Sequence, residues 1–352
     1  MASLLSMLRN KFFSGSAVAD TLNGTDQADV IVGLNGPDSL DGGAGDDVIY
    51  GGSGDDRLIG GDGNDRIYGG SDADTIFGDA VDPFSFSGGD DRIFGGDGDD
   101  IISGGLGSNT ISGGGGNDTI HATWAGFASS ELGGPATIDG GSGTDSIFGT
   151  VANDVLRGGS GNDTIFGFEG NDSIQGGSGN DELIWGNTLA PVGVGTLDGG
   201  SGNDVLRGGL VNGNMLGGLD DDTLILGRFN PGPTGAAPPI VAGGDGFDTL
   251  DISIRPAFDL TGADAQNLSG IEKIDMGEAG PSQQLILDMA ALLNLSDSTD
   301  TLFVAGGVGD QVTAEGAWLA SGSQTIDGIL YNQWTAGSAS LLIESDVSTT
   351  IV

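Results

Sequence analysis

Residues 42–68 read GGAGDDVIY, GGSGDDRLI and GGDGNDRIY, three consecutive copies of a nine-residue unit of the form Gly-Gly-x-Gly-x-Asp-x-apolar-x. Extending this frame in both directions finds twenty units. Position 8 is apolar in all twenty, position 6 is Asp except at Asn109 and Gly213, and position 1 is Gly except at Phe86. Such agreement identifies a repeat architecture, whose units are stable only when they stack. The units occupy residues 15–77, 86–121, 140–184, 199–225 and 243–251.

The composition narrows the classes of function. The 352 residues include 51 acidic and 10 basic side chains, and the net charge of −41 argues against a nucleic-acid partner. Of the acids, 44 are Asp, whose short carboxylate suits glycine-rich turns and binds hard cations. A hydrophobic content of 37% is enough for an ordered core, and the absence of Cys excludes disulfides and thiolate chemistry.

The repeats resemble the calcium-binding nonapeptides of the RTX family, named for repeats in toxins, over about two-thirds of the chain. This resemblance implies an all-β fold, a parallel β-roll, in which each gap between stacked turns holds one Ca²⁺. The implied ligands are turn carbonyls and the position 6 carboxylates, an all-oxygen set of the kind that calcium prefers. These carboxylates belong to Asp20, Asp29, Asp38, Asp47, Asp56, Asp65, Asp74, Asp91, Asp100, Asp118, Asp145, Asp154, Asp163, Asp172, Asp181, Asp204, Asp222 and Asp248.

The chemistry of the unit supports this interpretation. Its first six residues form a turn that needs glycine, and its last three form a short strand with the position 8 side chain inward. Two units make one coil of eighteen residues, so position 6 carboxylates of successive coils lie side by side and repel unless a cation neutralises them. Pairing units two apart gives about 11 to 18 calcium ions. A metal-free solenoid in which Asp only closes turns is the alternative.

Interruptions of the nine-residue repeat, and a change in the sequence pattern after residue 251, divide the chain. We expect an N-terminal arm at residues 1–14, a β-roll at residues 15–251 and a smaller β-rich C-terminal domain at residues 252–352, which caps the roll. Strand-like runs such as QLIL and TLFVA, and a short helical candidate, DMAALLNL, follow residue 251. Insertions are expected at residues 78–85, 122–139, 185–198 and 226–242.

The ends of the chain indicate export. The basic residues Arg9 and Lys11 follow the N-terminal apolar stretch, the reverse of a cleavable secretory signal, and no apolar run is long enough to span a bilayer. The C-terminal region resembles the domain that an ABC exporter reads in type I secretion, and residues 274–352 contain no Lys or Arg. We therefore expect an extracellular or cell-surface protein of a Gram-negative type of bacterium, with that exporter as a partner.

Three functions remain in competition. The first is a secreted calcium-binding structural protein of a surface layer, filament or matrix, which self-associates. The second is an adhesin or glycan-binding module that uses the aromatic residues of the insertions, Trp124, Phe127, Trp185 and Phe229. The third, a hydrolase, is disfavoured because the chain has one histidine, no His-Glu-x-x-His and no Gly-x-Ser-x-Gly. We expect no enzyme.

Overall fold

The structure is a computed structural model that describes residues 11–80, 88–123, 133–186, 195–208, 213–227, 240–261, 267–278, 282–296 and 300–352. Strands dominate it, as the repeat predicts. The chain divides into two compact units, Met1–Gly177 and Ser178–Val352, and each is described by itself below. None of the helices in the described ranges is long and apolar enough to cross a membrane.

The first unit is a parallel β-roll, which confirms the predicted fold class. Odd-numbered strands β1 to β15 form one parallel sheet, and even-numbered strands β2 to β16 form another. The strands are β1 (Phe12–Ser14), β2 (Thr21–Thr25), β3 (Val30–Asn35), β4 (Ser39–Ala44), β5 (Val48–Ser53), β6 (Arg57–Asp62), β7 (Arg66–Ser71), β8 (Thr75–Phe77), β9 (Arg92–Asp97), β10 (Ile101–Ser103), β11 (Thr110–Gly115), β12 (Thr119–His121), β13 (Thr137–Ser142), β14 (Ser146–Phe148), β15 (Val155–Ser160) and β16 (Thr164–Phe168).

The register confirms the eighteen-residue coil. Val30 pairs with Val48, which pairs with Arg66. Position 8 side chains such as Ile31 and Ile49 are completely buried between the two sheets. Stacked copies of one apolar column therefore make up the core, and one isolated unit could not bury it.

Many strands are longer than the three residues that the sequence predicts. β5, for example, continues through Gly51 and Gly52, and Gly52 pairs with Gly70 in the next coil. The backbone of the turn joins the ladder because glycine allows close approach: Gly52 has φ +122°, and a Cβ there would lie 2.0 Å from the carbonyl oxygen of Leu34. The glycines thus extend the sheet as well as making the turn.

The roll also includes residues that we expected in insertions or in the N-terminal arm. β13 places Thr137–Ser142 between β11 and β15, with Ile138 fully buried in the position 8 column. β1 pairs with β3, so the ladder begins before residue 15. In the second unit, residues 196–198 and 241–242 lie in paired strands in the same way. A buried apolar side chain is enough to hold a coil even where position 6 is not Asp.

The second unit contains parallel sheets of its own, and they extend into the C-terminal region. One parallel sheet runs β19-β21-β23-β26, and a second runs β18-β20-β22-β24-β27-β29-β33. A third joins β25, β28, β30 and β34. After β17 (Ser173–Ser178), which crosses the unit boundary, the strands are β18 (Glu182–Trp185), β19 (Thr196–Ser201), β20 (Val205–Arg207), β21 (Asn214–Leu219), β22 (Thr223–Ile225), β23 (Val241–Asp245), β24 (Thr249–Asp251), β25 (Ala257–Asp259), β26 (Leu268–Ser269), β27 (Lys273–Asp275), β28 (Gln284–Asp288), β29 (Thr301–Ala305), β30 (Gln311–Glu315), β31 (Leu319–Ile326), β32 (Ile329–Ala336), β33 (Ala339–Glu344) and β34 (Ser348–Ile351).

Two features depart from this parallel pattern. β31 and β32 form an antiparallel hairpin, and β32 also pairs antiparallel with β33. The predicted helix is present as α1 (Met289–Leu295), where the Asp288 carboxylate accepts the Ala291 N–H and Leu292 and Leu295 are buried. Across the predicted domain boundary at residue 251, β24 pairs with β27 in one parallel sheet.

Candidate metal sites

The position 6 carboxylates form continuous rows along the edges of the roll. Within a row, Oδ1 of each Asp accepts the backbone N–H of the position 6 residue one coil earlier: Asp38 N–H donates to Asp56 at 2.7 Å, and Asp56 N–H donates to Asp74 at 2.8 Å. Two rows run through the first unit, where eleven such links join two carboxylate residues. The second unit has one row, in which four links join Asp181, Asp204, Asp222, Asp248 and Glu272.

The second oxygen of most of these carboxylates is buried and lacks a hydrogen-bond partner. A buried polar atom without a partner costs about 1–3 kcal/mol, and more when it is charged. So many equivalent atoms along these rows indicate that something absent from the protein chain satisfies them. They are Oδ2 of Asp38, Asp47, Asp56, Asp65, Asp74, Asp91, Asp100, Asp118, Asp145, Asp172, Asp204, Asp222 and Asp248.

Asn109, the natural exception in the Asp column, shows what surrounds that oxygen. Its Oδ1 accepts the Asp91 N–H at 2.9 Å, as an aspartate would. Its Nδ2 takes the place of Oδ2 and donates to the carbonyl oxygens of Gly105, Leu106 and Ala122 at 3.5, 3.2 and 3.4 Å. Carbonyl oxygens of the turn and of the next coil therefore converge on the Oδ2 position. An anionic oxygen in that position needs a cation between itself and those carbonyls.

The pKa values of the aspartates also indicate that the rows hold cations. Burial raises the pKa of Asp91 to about 8 and of Asp65 to about 7, against the backbone hydrogen bonds that lower it, and neighbouring carboxylates raise it further. Desolvation likewise raises the pKa of Asp74 to about 7. At neutral pH the rows are therefore unfavourable as bare carboxylates, and a bound cation reverses that penalty.

The donor set fits calcium. Each turn offers a carboxylate oxygen and several backbone carbonyls, all hard oxygen ligands, in a glycine-lined space where flexible coordination by six to eight oxygens is possible. Across the described ranges, no cluster of three or more His, Cys, Asp or Glu side chains suits a metal, so backbone carbonyls must supply much of the coordination. When bound, the ion neutralises the row and links successive coils; Oδ1 meanwhile fixes each carboxylate to the backbone of the coil before it.

Three predicted ligands differ from the others. Oδ2 of Asp20, Asp29 and Asp154 accepts hydrogen bonds from a serine or threonine at position 2 of the same unit. The aspartate column alone does not distinguish these turns. The remaining predicted ligands lie in the rows, and Asp163 is among them.

Sequence reasoning missed two acidic residues that continue the pattern. Glu272 accepts the Asp248 N–H at 3.0 Å, and Ile274, two residues later, is fully buried as a position 8 side chain would be. Asp310 accepts the Gln283 N–H at 2.8 Å and the Gly307 N–H at 2.9 Å. Two features of the sequence could have revealed them. Glu272 is an acid two residues before an apolar residue, and Asp310 lies in the shortened repeat GGVGDQV at 306–312.

The structure describes one of the four insertion aromatics, Trp185. Trp185 is only 4% exposed. Its ring fills the space beside Gly213, where a Cβ would lie 1.4 Å from the indole. This aromatic side chain packs onto the roll in place of a missing position 6 side chain. Trp124, Phe127 and Phe229 lie outside the described residues.

Comparisons with known proteins agree with the site. No curated protein sequence matches the chain significantly. The chain is similar to a solved structure, a hyperactive, Ca²⁺-dependent, β-helical antifreeze protein from an Antarctic bacterium, with 19% identity over 88% of this chain and 84% of that one; the TM-score of 0.35 is too low to carry an argument. The model of the RTX calcium-binding nonapeptide repeat matches residues 14–49, 23–58, 50–82, 87–120, 134–151, 148–183 and 193–230. Because these matches cover more than half of the sequence, the chain belongs to the RTX calcium-binding nonapeptide repeat family and binds multiple calcium ions.

Proposed function

We propose that this calcium-binding β-roll protein is a secreted structural component of a cell surface or extracellular matrix, which folds when it meets calcium outside the cell. The row of buried carboxylates with unpartnered Oδ2 atoms carries this proposal. Extracellular calcium modules usually bind at about 10⁻⁴–10⁻³ M, concentrations that a cytosol does not reach. A chain whose fold needs those ions stays unfolded inside the cell and becomes rigid outside it.

The architecture supports a building-block role. In the first unit the described strands form two parallel sheets whose repeats supply both the core and the cation sites. Within its described part, β1 pairs only with β3, and Phe12 on β1 is 69% exposed. An open strand edge beside exposed apolar side chains favours association with another chain. We therefore propose self-association as part of this role.

Export through an ABC transporter belongs to the same proposal. Within residues 252–352, which we compare with a type I secretion domain, β27 and β29 pair in a parallel sheet of the second unit. A region that is unfolded before calcium arrives could pass the exporter as an extended chain and complete its sheets afterwards. Replacing residues 341–352 should abolish export while leaving calcium-induced folding of the purified protein.

The test is a calcium titration of the full-length protein that starts in chelator. Circular dichroism should show strand formation at millimolar calcium, and light scattering with negative-stain imaging should show filaments or sheets. Magnesium at equal ionic strength is the matched control and should produce neither change. Calcium-induced folding to a stable monomer would exclude self-assembly and favour the adhesin alternative, whereas strand formation independent of calcium would refute the proposal.

A further inference from the structure

The residue at position 2 separates the turns of the first unit into two kinds. In one kind it lies in the left-handed region: Gly43 has φ +98° and Gly52 has φ +122°. Leu34 and Phe168 keep this conformation, with φ +90° and +66°, although they are not glycine. The aspartates of these four turns, Asp47, Asp56, Asp38 and Asp172, all have an unpartnered Oδ2.

In the other kind, position 2 is Ser16, Thr25 or Thr150, none of which has a positive φ. The altered backbone turns the peptide N–H of Thr25 and Thr150 toward Oδ2 of the turn's aspartate, at 2.8 and 2.6 Å. The Thr25 hydroxyl donates to Oδ2 of Asp29 at 2.8 Å. The Thr150 hydroxyl lies 3.1 Å from Oδ2 and 3.0 Å from Oδ1 of Asp154, so its hydrogen bond is shared between the two carboxylate oxygens. Ser16 makes both bonds as well, at 2.5 Å from its N–H and 2.8 Å from its hydroxyl.

We propose that Ser16, Thr25 and Thr150 close their turns without calcium, so that Asp20, Asp29 and Asp154 are not calcium ligands. A carboxylate oxygen has about two lone pairs available, and two donors occupy both. Hydrogen bonds to a charged carboxylate are strong, so Oδ2 has no remaining need for a cation. The environment does not explain the difference, because Asp29 and Asp154 are each only 1% exposed, as Asp47 is.

Asn109 provides independent support. There the side-chain amide takes the place of Oδ2 and itself donates to the converging carbonyl oxygens. The chain thus contains two arrangements in which hydrogen bonds replace a cation. In the first, a serine or threonine donates to the carboxylate oxygen, and in the second, an asparagine amide stands where that oxygen would be. This inference concerns which turns bind calcium and does not depend on the structural role proposed above.

A crystal structure of the calcium-loaded protein with anomalous data tests the proposal directly. We expect calcium within about 2.3–2.6 Å of Oδ2 of Asp47 and Asp56 and none on Oδ2 of Asp29 or Asp154. Calcium on either of these last two oxygens would overturn the proposal. This measurement uses the unmodified chain, so it does not depend on whether a variant folds.

A pair of variants tests the role of position 2 itself. T150G restores the glycine found in most turns, and we expect equilibrium dialysis to find about one additional calcium ion per chain. T150V keeps the side-chain shape but removes the hydroxyl donor; because its β-branched side chain does not favour positive φ, we expect no additional ion. A folded T150G protein with an unchanged number of bound ions would overturn the proposed role.

Discussion

Replacing Asp56 by Asn should make the protein more stable without calcium and should reduce the stabilisation that calcium adds. Asn keeps an oxygen to accept the Asp38 N–H, which lies 2.7 Å from Oδ1, and Asn109 shows that the turn accommodates the amide. Burial raises the pKa of Asp56 from 3.8 to about 6. At about 1.4 kcal/mol per pKa unit, removing the charge stabilises the calcium-free fold at neutral pH by about 3 kcal/mol.

Calcium offsets this gain. Loss of one site that is filled at a hundred times its Kd removes about 2.7 kcal/mol of stabilisation, which cancels the gain, and loss of two sites leaves the variant about 2 kcal/mol less stable than the unmodified protein. The number of bound ions should fall by about one to two, because Asp56 faces a coil on either side. The matched control is D55N, which removes the same charge from the adjacent, exposed position. We expect D55N to change the free energy of unfolding by less than about 0.5 kcal/mol in either condition.

Urea denaturation of the three proteins, followed by circular dichroism in chelator and in millimolar calcium, measures both effects. If the unmodified protein is unfolded in chelator, its stability without calcium is not measurable. In that case the three proteins are compared by the calcium concentration at which half of the protein is folded and by the number of bound ions. The reasoning fails if D56N and D55N behave alike, or if D56N binds as many ions as the unmodified protein.

Two further predictions concern protons and the turn backbone. Without calcium, the free energy of unfolding should be greatest below pH about 4 and should fall as the pH rises through about 6 to 8. Burial raises the pKa of Asp65 to about 7 and of Asp91 to about 8. The native state therefore holds protons that the unfolded state releases in this pH range. Circular dichroism in chelator should show strand structure gained on acidification, and its loss would contradict the linkage. G114A should destabilise the calcium-loaded roll by more than about 2 kcal/mol, because Gly114 has φ +120° and a Cβ would meet the Gly96 carbonyl at 2.0 Å. Its neighbour G115A, whose Cβ has only Ser142 Oγ at 3.3 Å, should change stability by less than about 1 kcal/mol; equal effects in urea denaturation would count against the close-approach argument.

The sequence predicted the repeat geometry well because one buried column determines it. An apolar residue every nine positions, such as Ile49 or Ile67, is enough to derive the coil and its two sheets. The same column failed to reveal the coil containing Ile138, because positions 1 and 6 of its unit are Glu131 and Ala136 instead of Gly and Asp. Backbone pairing between coils accepts a unit that lacks some of the conserved Gly and Asp residues. A search that requires the glycine, aspartate and apolar positions together does not find it.

The aspartate rows were predictable, but their individual behaviour was not. Asp29 and Asp47 occupy the same column and are both buried, yet Thr25 donates two hydrogen bonds to the first while Oδ2 of the second lacks a partner. That difference follows from the conformation of one residue four positions earlier. The absence of glycine at that position does not predict the change of backbone, because Leu34 and Phe168 retain the positive φ that glycine favours.

The position of the hydrogen-bonded turns suggests how the roll could begin to fold. The first two aspartate turns of the first unit, those of Asp20 and Asp29, are closed by Ser16 and Thr25. In a stacked repeat, each coil gains stability mainly from its neighbours, so a first coil that needs no cation would give later coils a template before any calcium has bound. Each added ion then neutralises carboxylates that are already held in register by the N–H···Oδ1 bond of the preceding coil, such as that from Asp29 to Asp47 at 2.6 Å. If this order is correct, S16G together with T25G should raise the calcium concentration needed for half-folding, whereas T150G, far along the ladder, should leave it nearly unchanged.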